Sequence, residues 1–261
     1  MFGNIAPVTK NIVLLNVALF ILTVFFEYQG GSIQLGDTLS AHYVGTPLFQ
    51  PYQLVTHFFM HGGFLHIFMN MYILIMFGSF LERLWGPKRY FLVYVLSALG
   101  AYLLYSGVGF YQLIDIKKEI GDQHIIAGLN GIIKEYGQSE KAIFEINQFV
   151  NQLPQAPTFN QVEAIQAYID KSFVQLVGAS GAIFGIMAAF AILFPNTELM
   201  LLFPPIPIKA KYLIGGYFLL EVYLSLKDSQ GDHVAHLAHV GGAIVGAIIV
   251  LIWRKKGQNF Y

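Results

Sequence analysis

The sequence predicts an all-α integral membrane protein: a bundle of six membrane-spanning helices with a helical extracytoplasmic insertion between the third and the fourth. Three observations predict it. Of the 261 residues, 56% are hydrophobic and only 11% charged, with a mean hydropathy of +0.58, whereas a soluble domain carries roughly 25% charged residues. Six segments are apolar over about the 20 residues needed to cross the hydrocarbon. The basic residues gather at alternate junctions between those segments.

The six segments are 11–27, 62–82, 90–111, 174–194, 211–226 and 235–253. No small-residue cleavage site follows the first, so it is expected to be a retained span and not a signal peptide. Within a bilayer every backbone N–H and C=O must be paired inside the protein, so each segment is expected to be a helix.

Lys10 precedes the first span; Arg83, Lys88 and Arg89 lie between the second and third; Lys209 and Lys211 lie between the fourth and fifth; and Arg254, Lys255 and Lys256 follow the sixth. All four sites fall on one side. Residues 28–52 carry no Lys or Arg, and 227–234 carry only Lys227. Because short cytoplasmic loops are enriched in positive charge, the basic side is expected to be cytoplasmic and to hold both termini.

Residues 112–172 form the outer insertion within a single domain over 1–261, with amphipathic stretches near 123–136, 140–153 and 158–172. The spacing of Ile143, Ile146, Phe149 and Val150 predicts short surface helices. A packed decoration on the membrane surface is the plain reading of so long a loop, and a lid that filters substrates is the alternative.

Composition also excludes classes of function. Fifteen basic and fifteen acidic residues give a formal net charge of zero, so there is no broad basic face and nucleic acid is not an expected partner. With no cysteine in the chain, thiol nucleophiles, disulfides and Cys-based metal sites are all absent.

Ionisable and polar groups in spans are costly and face the bundle interior. Those present are His57, His61, His66 and Asn70 around the second span, Ser180 in the fourth, Glu221 in the fifth, and His236 and His239 in the sixth. Spans two, four and six run in the same direction, so residues near their N-terminal ends share a depth. Ser180 is expected about six residues into its span, and His239 and His66 about four into theirs. At 1.5 Å per residue they lie roughly 6–9 Å below the outer surface, within reach of water.

Small residues decide whether the helices can approach. Ser180 sits in Gly178-Ala179-Ser180-Gly181, and Gly181 and Gly185 form a G-x-x-x-G stripe; His239 heads a similar stripe with Gly242 and Gly246. Facing stripes of this kind allow close helix packing in lipid and would bring hydroxyl and imidazole together. A Ser with a His base is a nucleophilic dyad. His66 and Asn70, spaced i and i+4, project from one face, and with the free N–H groups at the start of the fourth helix they are candidate oxyanion donors.

These motifs resemble those of the rhomboid family. The resemblance covers roughly 10–111 and 173–255 and rests on H-x-x-x-x-H-x-x-x-N as His61 through His66 to Asn70, G-x-S-G as Gly178 to Gly181, and A-H-x-G-G-x-x-x-G as Ala238-His239 through Gly242 to Gly246. It implies cofactor-free cleavage of transmembrane segments of membrane proteins, with Ser180 as nucleophile, His239 as base and then acid, and His66, Asn70 and the Ser180 backbone N–H holding the oxyanion. It also implies an aromatic ring, Phe184, packed on the catalytic imidazole. It selects His239 over His236 as the base, and it reads Glu82-Arg83-Leu84-Trp85-Gly86 as a structural motif. A bacterial inner (plasma) membrane, with the site opening to the extracytoplasmic side, is the expected location. Two departures stand out: Tyr52-Gln53 replaces the usual Trp-Arg pair of the first outer loop, and the insertion is long.

Three other readings compete. A metal site built from His57, His61, His66, His236 and His239 is disfavoured because no H-E-x-x-H motif exists and no carboxylate is expected beside these histidines; no metal is expected. A catalytically inactive relative that binds transmembrane clients is the second. A transporter is the third, with Glu221 as its single ion-path carboxylate and no repeat of broken helices.

Overall fold

The computed structural model describes residues 5–28, 35–200, 205–227 and 235–255. Lys256, one of the charges that orient the chain, and most of the segment 227–234 lie outside them. The longer helices among the described residues are α1 (Pro7–Tyr28), α2 (Phe64–Trp85), α3 (Pro87–Ile120), α4 (Gln123–Tyr136), α5 (Glu140–Asn151), α6 (Phe159–Phe173), α7 (Ser180–Leu193), α8 (Ala210–Lys227) and α9 (His236–Lys255), with short helical turns at Leu35–Leu39, Gln53–Thr56 and His57–Phe59. A two-stranded antiparallel ribbon, β1 (Glu198–Met200) with β2 (Pro207–Lys209), precedes α8 and pairs Leu199 with Ile208.

Helices α1, α2, α3 and α9 are long and apolar enough to cross a membrane, and α7 is a shorter apolar helix. Helix α8 has 18 residues and carries Lys211, Glu221 and Lys227. Lipid explains the exposure pattern: Leu14, Ile21, Phe25, Phe64 and Leu65 face outward, which in water would be an aggregation liability.

Two segments differ from the sequence reading. The third helix does not stop at 111 but continues to Ile120, because no breaker intervenes before Gly121, which takes φ +68°. The fourth segment becomes helical only at Ser180. Gly178 adopts φ +108°, and Leu176 is tied in a bridge to Ala41, so residues 174–179 cannot continue a helix. Ser180 is therefore the first residue of its helix and not the sixth.

The chain divides into two compact units. The first comprises 1–39, 55–105 and 177–261, and the second 40–54 and 106–176. The core of the first is a cluster that includes Leu74, Leu81, Val93, Ile183, Ile186 and Val250. Helix α2 carries a π turn at Leu74–Gly78. At its end the buried carboxylate of Glu82 accepts hydrogen bonds from the N–H groups of Val8 (2.8 Å) and Thr9 (2.7 Å) and from the Thr9 hydroxyl (2.8 Å). It thereby caps α1, whose first N–H groups have no helical acceptor.

The second unit shows its sequence signals directly. Asp122 and Ser139 cap α4 and α5 with side-chain oxygens, and Thr158 and Gln161 close a capping box on α6. The Phe149 ring lies against Gly128, joining α5 to α4. Ile146 is buried, whereas Ile143, expected on the same stripe, is 58% exposed.

Candidate active site

Helices α7 and α9 pack against each other along much of their length. The reason is steric. A Cβ on Gly242 would overlap the backbone of Gly181, one on Gly246 that of Gly185, and one on Gly181 the Ala101 side chain. Glycine at these positions lets two backbones touch, with van der Waals packing in place of the hydrophobic effect that lipid cannot supply.

The close approach brings the two polar heads together. Ser180 Oγ lies 2.8 Å from His239 Nε2. The imidazole stacks on Phe184, with ring centroids 4.3 Å apart and planes 8° from parallel, and Phe184 packs in turn against Tyr217 of α8. Its other nitrogen, Nδ1, lies 2.9 Å from Glu221 Oε2, and the same carboxylate oxygen lies 2.6 Å from His236 Nδ1. Ser180 is half-buried, while His239 and Glu221 are buried.

On the other side of Ser180 stands His66. A Cβ at Gly178 would lie 2.9 Å from His66 Nε2 and 3.7 Å from Ser180 Oγ, so both groups border the space that the missing Gly178 side chain leaves open. Its conformation is fixed by its own N–H, which donates to the His57 carbonyl at 2.9 Å, and its φ lies where only glycine is unstrained. Asn70 is buried one turn beyond His66, and its Nδ2 donates to the His66 carbonyl at 2.9 Å. The first-turn N–H groups of α7 begin at Ser180 itself.

The histidines of the metal reading do not form one cluster. His57 packs against Phe58 and Tyr102, while the His61 and His66 rings are neighbours at 5.1 Å. The expectation that no carboxylate accompanies the histidines is corrected: Glu221 joins His236 and His239, with donor atoms all within 4.8 Å of one another, a spacing that a metal ion also accepts. Both histidine contacts to Glu221 have hydrogen-bond length and use the same oxygen, so the trio is satisfied as it stands. Sequence reasoning singled out Glu221 but not its partners. The signal available was depth, since Glu221 lies about two turns before the C-terminal end of α8 and His239 one turn into α9.

In chemical terms the arrangement offers a hydroxyl bonded to an imidazole, an imidazole whose far edge meets a carboxylate, and further donors beside the hydroxyl. A Rhomboid domain model matches residues 48–134 and 160–256. The chain belongs to the rhomboid family. Both rhomboid segments together contain His66, Asn70, Ser180, Glu221 and His239.

Three curated rhomboid relatives are similar to it. An uncharacterized mitochondrial rhomboid protein of Schizosaccharomyces pombe is 28% identical over 78% of this chain and 52% of its own length. A Bacillus subtilis protein named "Putative rhomboid protease YdcA" is 29% identical over 39% of this chain and 52% of its own. The mitochondrial RHOMBOID-like protein 6 of Arabidopsis thaliana is 36% identical over 21% of this chain and 18% of its own. The chain spans about half the length of the first two.

Proposed function

We propose that this rhomboid is an intramembrane serine endopeptidase that cleaves transmembrane segments of membrane proteins in the lipid bilayer. The observation that carries the reading is the 2.8 Å contact between Ser180 Oγ and His239 Nε2 in an apolar bundle. Ser180 Oγ attacks the scissile carbonyl as its proton passes to His239 Nε2. The C–N bond then breaks, and His239 returns the proton to the departing amine. Water, deprotonated by the same imidazole, attacks the acyl-enzyme; the second product leaves as a carboxylic acid, and Ser180 regains its proton. His66, Asn70 and the Ser180 backbone N–H are the oxyanion donors of this scheme. Family membership and the named protease relative support the class of chemistry.

The distribution of Lys and Arg supports six spans with both termini cytoplasmic, so that the site opens to the extracytoplasmic side. The bacterial inner membrane is carried over from the family resemblance alone, and two of the three relatives carry mitochondrial names.

The test needs no known substrate. Detergent-solubilised protein is treated with a fluorophosphonate probe, comparing wild type, Ser180→Ala, His239→Ala and a chelator-treated sample. Labelling that vanishes in both variants and survives chelation is expected. A folded wild type that neither labels nor cleaves a panel of transmembrane reporters would replace this reading with non-catalytic client binding.

A further inference from the structure

We propose that Glu221 is a positioning residue that completes a Ser180–His239–Glu221 relay, anchored from behind by His236; this rests on the endopeptidase reading above. A carboxylate only accepts hydrogen bonds, so both imidazoles that contact Oε2 must present Nδ1–H to it. For His239 this fixes the tautomer: with the proton on Nδ1, the lone pair is on Nε2, the atom that faces Ser180 Oγ at 2.8 Å. Without the carboxylate either nitrogen could carry the proton, and the Nε2–H form is useless as a base.

Glu221 holds the edge of the ring while Phe184 holds its face at 4.3 Å, so rotation and tilt are both restrained. The carboxylate also stands where positive charge develops once His239 has taken the serine proton, in surroundings that screen it weakly. His236 gives the carboxylate a second donor, at 2.6 Å, and so keeps Oε2 aimed at His239. His236 is thereby an anchor for the carboxylate and not a competing base, since its Nδ1 is committed to Glu221.

The experiment combines kinetics with tautomer spectroscopy on the full chain in detergent. For Glu221→Gln, kcat on a transmembrane reporter and the fluorophosphonate labelling rate are expected to fall by about 10²-fold or more with KM unchanged, because only proton transfer is affected. Glu221→Asp should recover part of that loss, and His236→Ala should lower kcat less than Glu221→Gln does. Nitrogen-15 spectra of histidine-labelled wild type should show His239 protonated on Nδ1, a result independent of whether any variant folds. An active wild type with Glu221→Gln at the same kcat, or with His239 protonated on Nε2, would overturn the relay while leaving the protease reading intact. Loss of wild-type activity on chelation would overturn it in favour of a metal held by the same three residues.

Discussion

Gly242 of α9 lies so close to the carbonyl of Gly181 in α7 that no methyl group fits between them. This contact, between the residue that follows Ser180 and the residue one turn beyond His239, sets the distance between the Ser180 hydroxyl and the His239 imidazole. Gly242→Ala should therefore push the helices apart, destabilise the protein by about 1–3 kcal/mol through overpacking, and abolish fluorophosphonate labelling even below its lowered unfolding temperature. Gly216→Ala in α8 is the control, since a Cβ there meets nothing within 4 Å. It should leave labelling unchanged and be neutral or stabilising. Equal behaviour of the two variants would show that helix contact does not govern the site.

Much of this was readable in the sequence, for identifiable reasons. The close-packing glycines fall at helical spacing on Ser180's and His239's own helices, so pattern along one element revealed them. The helices of the second unit announce their ends through Ser139, Thr158, Gly121 and Gly137, each a local signal. The start of α7 was not readable, because a left-handed Gly178 and a Leu176–Ala41 bridge depend on what the chain meets elsewhere. The extension of α3 was missed because lipid-span hydropathy ends near 111, whereas Leu113 and Ile120, fully buried, continue the helix on different contacts. The partners of Glu221 were not readable because α8 and α9 meet in space, and no periodicity within either reports it.

Glu82 tests the stability of the bundle apart from its chemistry. Its carboxylate receives three hydrogen bonds from Val8 and Thr9 in a site where it is 3% exposed. Glu82→Gln replaces one acceptor oxygen with an N–H group facing other donors. The cost should be about 2 kcal/mol, seen as a lower unfolding midpoint in detergent, with the labelling rate per folded molecule unchanged. An unaltered midpoint would mean that the N-terminus of α1 is not held by this cap.

His61, just ahead of α2, gives a prediction for pH. Burial, and then the neighbouring His66, pull its pKa from 6.5 to about 4, against the opposing bond from its Nδ1 to the Phe59 carbonyl. Above about pH 6.5 the site is neutral whether folded or unfolded and contributes no slope. Between about 6.5 and 4 the unfolded chain binds a proton that the folded chain does not, so stability should fall by up to about 1.4 kcal/mol per pH unit. Below about 4 this contribution levels off. His61→Gln should flatten the dependence of the unfolding midpoint on pH in that window, and parallel curves for the two proteins would exclude His61 as its source.

The proposed oxyanion donors allow a sharper division of labour than a simple count. Removing one donor of such a set costs about 10²–10³-fold in kcat in a well-studied serine protease. His66 Nε2 lies beside Gly178 near the Ser180 hydroxyl, whereas Asn70 already gives a hydrogen bond to the His66 carbonyl. Asn70 thus has two routes of influence, by direct donation and by holding the turn that carries His66. Asn70→Ala should reduce kcat partially, by about 10²-fold, because His66 and the Ser180 N–H remain. His66→Ala should also reduce it partially, and the double variant should lose less than the product of the two single losses, since the second role of Asn70 acts through His66. Strict multiplicativity in kcat would show that the two donate independently, and complete loss in Asn70→Ala alone would show that the charge is not shared among them.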